Sequence, residues 1–97
     1  MIRHIALVTW KAQATAEQRA ATIKRMRSLP EHIETIRCYS VEENVGPDAA
    51  NFDLAIVGEF DDTASYEAYR DHPEHQALFR ESTQPILEAR AGIQITR

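Results

Sequence analysis

Apolar and polar positions along the chain alternate in two rhythms. Ile2 to Trp10 is rich in β-branched and apolar types, with Ile5 and Leu7 on one face and Ala6, Val8 and Trp10 on the other, the period of two expected for a strand buried in part on both sides. Thr15 followed three residues later by Gln18 forms a capping box, so a helix should begin near Ala16. Its apolar stripe reads through Ala16, Ala20, Ile23 and Met26, with Arg19, Lys24, Arg25 and Arg27 turned to water, and Leu29-Pro30 ends it. Ile36 to Val45 reads as a second strand. Arg37, Tyr39, Val41, Glu43 and Val45 share one side of it and Ile36, Cys38, Ser40 and Glu42 the other, a mixed polarity that predicts an edge position.

Gly46-Pro47-Asp48 and Asn51 supply turn chemistry ahead of Phe52 to Phe60, the most apolar strand and the one expected at the centre of the sheet. Asp61-Asp62-Thr63 places acidic and hydroxyl groups at the start of a second helix, which runs to Arg70 or Asp71. Pro73 has no backbone N–H, crowds the carbonyl of Tyr69 and biases His72 away from helical geometry. The helix must break there. A further helix starts at Pro73 and carries Ala77, Leu78, Ile86 and Leu87, with Pro85 as a second interruption. Ile93 and Ile95 alternate with Gln94 and Thr96 in a last short strand. The order βαββαβ, with helical crossovers, predicts an α+β, ferredoxin-like fold: a four-stranded antiparallel sheet with helices on one face. Apolar residues on the other face need a cover, which a second copy of the sheet would supply, so a homodimer is expected.

Composition narrows the function classes. At 97 residues the chain is read as a single domain over 1–97, and 43% hydrophobic with 27% charged residues excludes disorder or a low-complexity repeat. Eleven Lys and Arg against 15 Asp and Glu give a net charge of −4 with no long block of either sign, which disfavours nucleic acid as a partner. The uncharged stretch His4 to Trp10 is too short for a membrane span or a signal-peptide core, so a cytoplasmic protein with no membrane partner is expected. Cys38, the single cysteine, permits neither an intrachain disulfide nor a thiolate zinc site, and is expected as a half-buried strand residue. No glycine-rich phosphate loop is present, and His72 and His75 are separated by the proline break, so neither a cofactor nor a metal is expected.

The segment Tyr66 to Phe79 holds two of the four histidines and two of the three tyrosines. His4 in the first strand, Asp53-Leu54-Ala55 in the third, and above all Tyr69 with His72-Pro73-Glu74-His75 ahead of an apolar helix resemble the stress-responsive A/B barrel (Dabb) family over nearly the whole chain. That resemblance implies a ferredoxin-like monomer whose dimer forms an α+β barrel. It also implies, from a plant polyketide cyclase of the family that carries out aldol-type ring closure, Tyr69 and His75 as the catalytic pair and His4 as a pocket residue. Met26 and Asp53 stand where that cyclase has a pocket tyrosine and a pocket histidine, so the likeness is to the broad family. His4, His72, Met26 and Asp53 form the candidate substrate-binding set, although His72, directly before Pro73, is also placed to cap backbone groups freed at the break.

Neutral imidazole and phenol suit the implied chemistry: one removes a proton next to a carbonyl, the other donates to the resulting oxyanion. Tyr69 and His75 are six residues apart, however. On an unbroken helix that is about 600° of rotation, or about 240° around the axis, which puts them on different faces. Only the break at Pro73 can bring them together. Three readings follow: a cofactor-free acid/base catalyst acting on a small carbonyl or polyketide-like ligand, a non-catalytic stress-response protein that binds such a ligand, and a structural dimer packed solid.

Overall fold

The computed structural model describes all residues, Met1–Arg97. The N-terminal alternation becomes strand β1 (Ile2–Trp10), followed by helix α1 (Ala16–Arg27), strands β2 (Cys38–Glu43) and β3 (Leu54–Phe60), helices α2 (Thr63–Asp71) and α3 (Pro73–Leu78), and strand β4 (Leu87–Thr96). The strands are antiparallel in the order β2-β3-β1-β4, so β2 is an edge strand and β3 is central, in the ferredoxin-like arrangement expected from the sequence. No helix is long and apolar enough to cross a membrane.

Local chemistry accounts for the helix boundaries. Thr15 and Gln18 complete the capping box of α1, and Asp62 caps α2 by accepting from the Ser65 N–H at 2.8 Å. At His72 the backbone turns extended (φ −62°, ψ 136°), which separates α2 from α3 and seats Pro73 in a first helical turn. Helix α3 then loosens into a π turn over Phe79–Thr83 and tightens into a 3-10 turn over Gln84–Ile86 that contains Pro85.

Several boundaries differ from the expectation. Ladder pairing in β2 covers only Cys38–Glu43 of the predicted Ile36–Val45, and β3 starts at Leu54, after Phe52 and Asp53. Strand β4 is ten residues long and takes in Leu87, because pairing with β1 carries the weak strand formers Glu88 to Gly92 into the sheet. Along α1 the buried residues are Thr22, Ile23 and Met26, while Ala16 and Ala20 face solvent. The arginines of α1 are not simply solvated: Arg25 binds Ser82 and Glu81, and Arg27 donates from Nε and Nη2 to the Val41 carbonyl on the edge strand at 3.1 and 2.6 Å. Cys38 is exposed, not half-buried.

The core lies between the helices and one sheet face. Ile23, Met26, Tyr69 and Leu78 from the helices meet Val8, Val41, Leu54, Ile56 and a fully buried Phe60 from the strands. Gly58 sits on this face between Phe60 and Tyr39. A Cβ added there would lie 3.0 Å from the Phe60 ring and 3.2 Å from that of Tyr39. On the opposite face Ile5, Leu7, Val57, Ile93 and Ile95 line up across β1, β3 and β4 with no helix over them, and Ile93 is 56% exposed.

Gly58→Ala should therefore destabilise the fold by about 1–3 kcal/mol in urea unfolding, as overpacking does. Gly92→Ala, whose Cβ would meet nothing nearer than 3.9 Å, should cost far less.

Candidate functional site

Between the sheet and α2–α3 lies a cavity of about 420 Å³, its walls mostly apolar. His4, Met26, Tyr69 and His75 all line it; Asp53 and His72 do not. The solid interior required by the purely structural reading is absent.

The break at His72 builds the site. Its imidazole Nδ1 accepts from the Glu74 N–H at 3.1 Å, so the donor that a continuous helix would direct at the Arg70 carbonyl is taken. That carbonyl instead accepts from His75 Nδ1 at 3.0 Å and from Gln76 Nε2 at 2.8 Å. Because a carbonyl only accepts, His75 carries its proton on Nδ1, and Nε2 keeps a free lone pair. The turn also places the His75 ring against that of Tyr69, with centroids 4.5 Å apart. The two residues that an intact helix would separate share one wall.

Tyr69 is held on every side. Its ring packs on Phe60 (5.1 Å) and meets Tyr39 edge-on (5.9 Å), and its hydroxyl lies 2.9 Å from that of Tyr39. Burial is the main cause that raises its pKa far above the ordinary phenol value, reinforced by Tyr39 and Tyr66, while Tyr39 itself is pushed up to about 12 by burial. Both phenols are neutral donors throughout the physiological range. His75 and His4 are shifted down, each mainly by burial. A positive charge on one disfavours a charge on the other in the case of His4, and Arg90 and His72 oppose protonation of His75, partly offset by the Arg70 carbonyl and Asp71. Both imidazoles are thus held neutral, the form in which His75 can act as a base.

His4, on the inward face of β1, has its Nδ1 2.8 Å from the amide nitrogen of Gln94, which also donates to the Tyr66 hydroxyl at 3.4 Å. With the amide in that orientation His4 accepts at Nδ1 and presents Nε2–H. Asp53 serves the sheet: its carboxylate accepts from the Trp10 N–H at 2.8 Å, and its own N–H donates to the Val8 carbonyl at 2.8 Å, tying the start of β3 to the end of β1. His72 caps α3. No three His, Cys, Asp or Glu side chains converge as metal ligands would.

Sequence reasoning did not single out Tyr39, Tyr66, Gln94 or Arg90. The available signal was alternation in the strands: Tyr39 shares its face with buried Val41, and Arg90, Gly92 and Gln94 share the inward face of β4. Gln94 falls within the strand predicted around Ile93 and Ile95, whereas Arg90 and Gly92 precede it.

The fold and this cavity define a ferredoxin-like α+β protein with a pocket between helices and sheet. The chain belongs to the stress-responsive A/B barrel (Dabb) family, whose sequence model matches residues 2–95. Comparison with curated proteins finds no match. Among solved structures, a dimeric ferredoxin-like protein of unknown function from Thermobifida fusca is 33% identical with a TM-score of 0.89, the match covering 99% of this chain and 90% of that one. A second dimeric protein of unknown function, from Bacteroides fragilis, is 26% identical with a TM-score of 0.83, covering 97% of this chain and 93% of its own. Hydroxynitrile lyase from Passiflora edulis shares the fold at 20% identity and a TM-score of 0.86, covering 97% of this chain and 90% of that one.

The lowered histidine pKa values have a sign in stability. The unfolded chain binds protons at His4 and His75 near the ordinary value of 6.5, and the folded chain only at lower pH. Thermal stability should therefore be full above about pH 6.5 and fall as the pH drops through the folded-state values. A His75→Gln variant should show a shallower fall over the same window in a melting series.

Proposed function

We propose that two copies of this chain pack together through their outer sheet faces, and that each cavity binds a small carbonyl compound and acts on it by cofactor-free acid/base chemistry of an aldol, polyketide cyclase-like kind. The observation that carries this reading is the contact of His75 and Tyr69 on one cavity wall, with the His75 proton fixed at Nδ1. His75 Nε2 removes a proton from the carbon next to the carbonyl. The C–H electron pair moves into the carbonyl, and the charge that gathers on oxygen meets the Tyr69 O–H, which is available in the arrangement where Tyr39 supplies the proton of the 2.9 Å hydrogen bond between the two hydroxyls. The enolate carbon attacks a second carbonyl, and the new alkoxide recovers the proton from His75 Nε2. Tyr69 donates a hydrogen bond throughout and keeps its proton, consistent with its raised pKa. His4 and Met26 form the binding wall; Asp53 and His72 act through the backbone instead.

Two observations support the wider reading. The Passiflora edulis neighbour named a hydroxynitrile lyase indicates that this fold can house an enzyme. The T. fusca and B. fragilis proteins are dimeric, and the uncovered row Ile5, Leu7, Val57, Ile93 and Ile95 is a face for a second copy.

The first half-reaction can be followed without the natural substrate. Octan-2-one in D₂O should exchange its α-protons faster with the protein than in buffer, and His75→Ala should lower the protein-dependent rate by about 10²-fold or more. Tyr69→Phe, which removes the oxyanion donor, should lower it by about 10-fold to 10³-fold. The wild-type rate should rise with pH through a midpoint below 6.5. Ketone binding without enhanced exchange would instead support the non-catalytic reading. In sedimentation, the chain should run as a dimer at micromolar concentration and a Val57→Glu, Ile93→Glu double variant as a monomer.

A further inference from the structure

We infer that the cavity selects substrates bearing a carboxylate in addition to the reacting carbonyl, and that Arg90 is the residue that recognises it. This rests on the reading of the cavity as a substrate site and names the chemical class it takes. Arg90 pairs with Val8 in the β1–β4 ladder, which puts it on the inward sheet face, and it lines the cavity. Its guanidinium carbon stands 4.7 Å over the centre of the Phe79 ring, a cation–π contact that holds the group there without using its N–H donors.

Those donors have no protein acceptor. The side chain of Arg90, an exposed residue, forms no hydrogen bond and no ion pair, whereas that of Arg70, the other arginine on the cavity wall, is committed to Asp71 at 2.9 Å and Glu67 at 3.7 Å. A planar guanidinium with its fork unoccupied, beside an apolar cavity, fits a carboxylate in two parallel hydrogen bonds. It is also near enough to His75 that its charge opposes protonation of that imidazole. A ligand carboxylate on Arg90 would therefore lie within electrostatic reach of the proposed base and cancel that opposition.

The test uses octanoate and octanamide, matched in length and shape, titrated into the whole protein by calorimetry. The wild type should bind octanoate at least about tenfold more tightly than octanamide. Arg90→Gln should abolish that preference, and Arg90→Lys, which keeps the charge and loses the fork, should retain only part of it. As a second readout, saturating octanoate should raise the NMR titration midpoint of the His75 ring in the wild type and leave it unmoved in Arg90→Gln. Equal affinity for the two probes in the wild type, or a preference that survives in Arg90→Gln, overturns the assignment while leaving the cavity as a binding site. Failure of both probes to bind overturns the binding-site reading, and the assignment with it.

Discussion

The site depends on a break in a helix. Proline at position 73 cannot continue the ladder of α2, and the extended turn at His72 leaves the last carbonyls of α2 and the first N–H groups of α3 without helical partners. Helix ends leave backbone groups that water or side chains must meet, and the side chains that meet them here also perform the positioning. His72 takes the Glu74 N–H, and His75 and Gln76 take the Arg70 carbonyl. The imidazole proposed as the base is thus oriented, and its tautomer chosen, by the repair of a discontinuity that one residue imposes.

Much of the architecture was legible because it is local. The alternation of β1, the Thr15–Gln18 box, the Asp62 cap and the start of α3 at Pro73 are each decided by a few adjacent residues. Pairing decides the rest. Glu88 to Gly92 form a strand because β1 offers a free edge, and without that tertiary fact the first half of β4 could not be read, nor the inward placing of Arg90 with it. The candidate site divides in the same way: the motif marked Tyr69 and His75 and the proline stated the condition for their meeting, whereas Tyr39 reaches Tyr69 across 30 positions of sequence. Asp53 illustrates the converse, a polar residue at a conspicuous place in a motif whose partner is the backbone of a neighbouring strand.

Packing and chemistry draw on the same aromatic cluster. Phe60, Tyr39 and Tyr66 close around Tyr69, and the absence of a side chain at Gly58 is what lets Phe60 and Tyr39 approach. The burial that stabilises this arrangement also keeps the phenols protonated and the neighbouring imidazoles neutral. At Gly92, on the cavity wall, an added Cβ would meet only ordinary contacts at 3.9 Å. Two inward-facing glycines on different strands thus differ in setting, one tightly enclosed by rings and the other loosely bounded on the cavity wall.

The bond from Arg27 to Val41 bears on how copies of the chain can associate. An edge strand with free carbonyls is a template on which another sheet can extend, and repeated extension produces open-ended assemblies. On β2 one such carbonyl is already occupied by a guanidinium whose charge also faces Glu42. Growth from that edge would have to displace a charged donor from its acceptor, a cost that the proposed stacking through the row Ile5, Val57 and Ile93 does not carry. A single arginine on α1 thereby opposes extension of the sheet from its β2 edge.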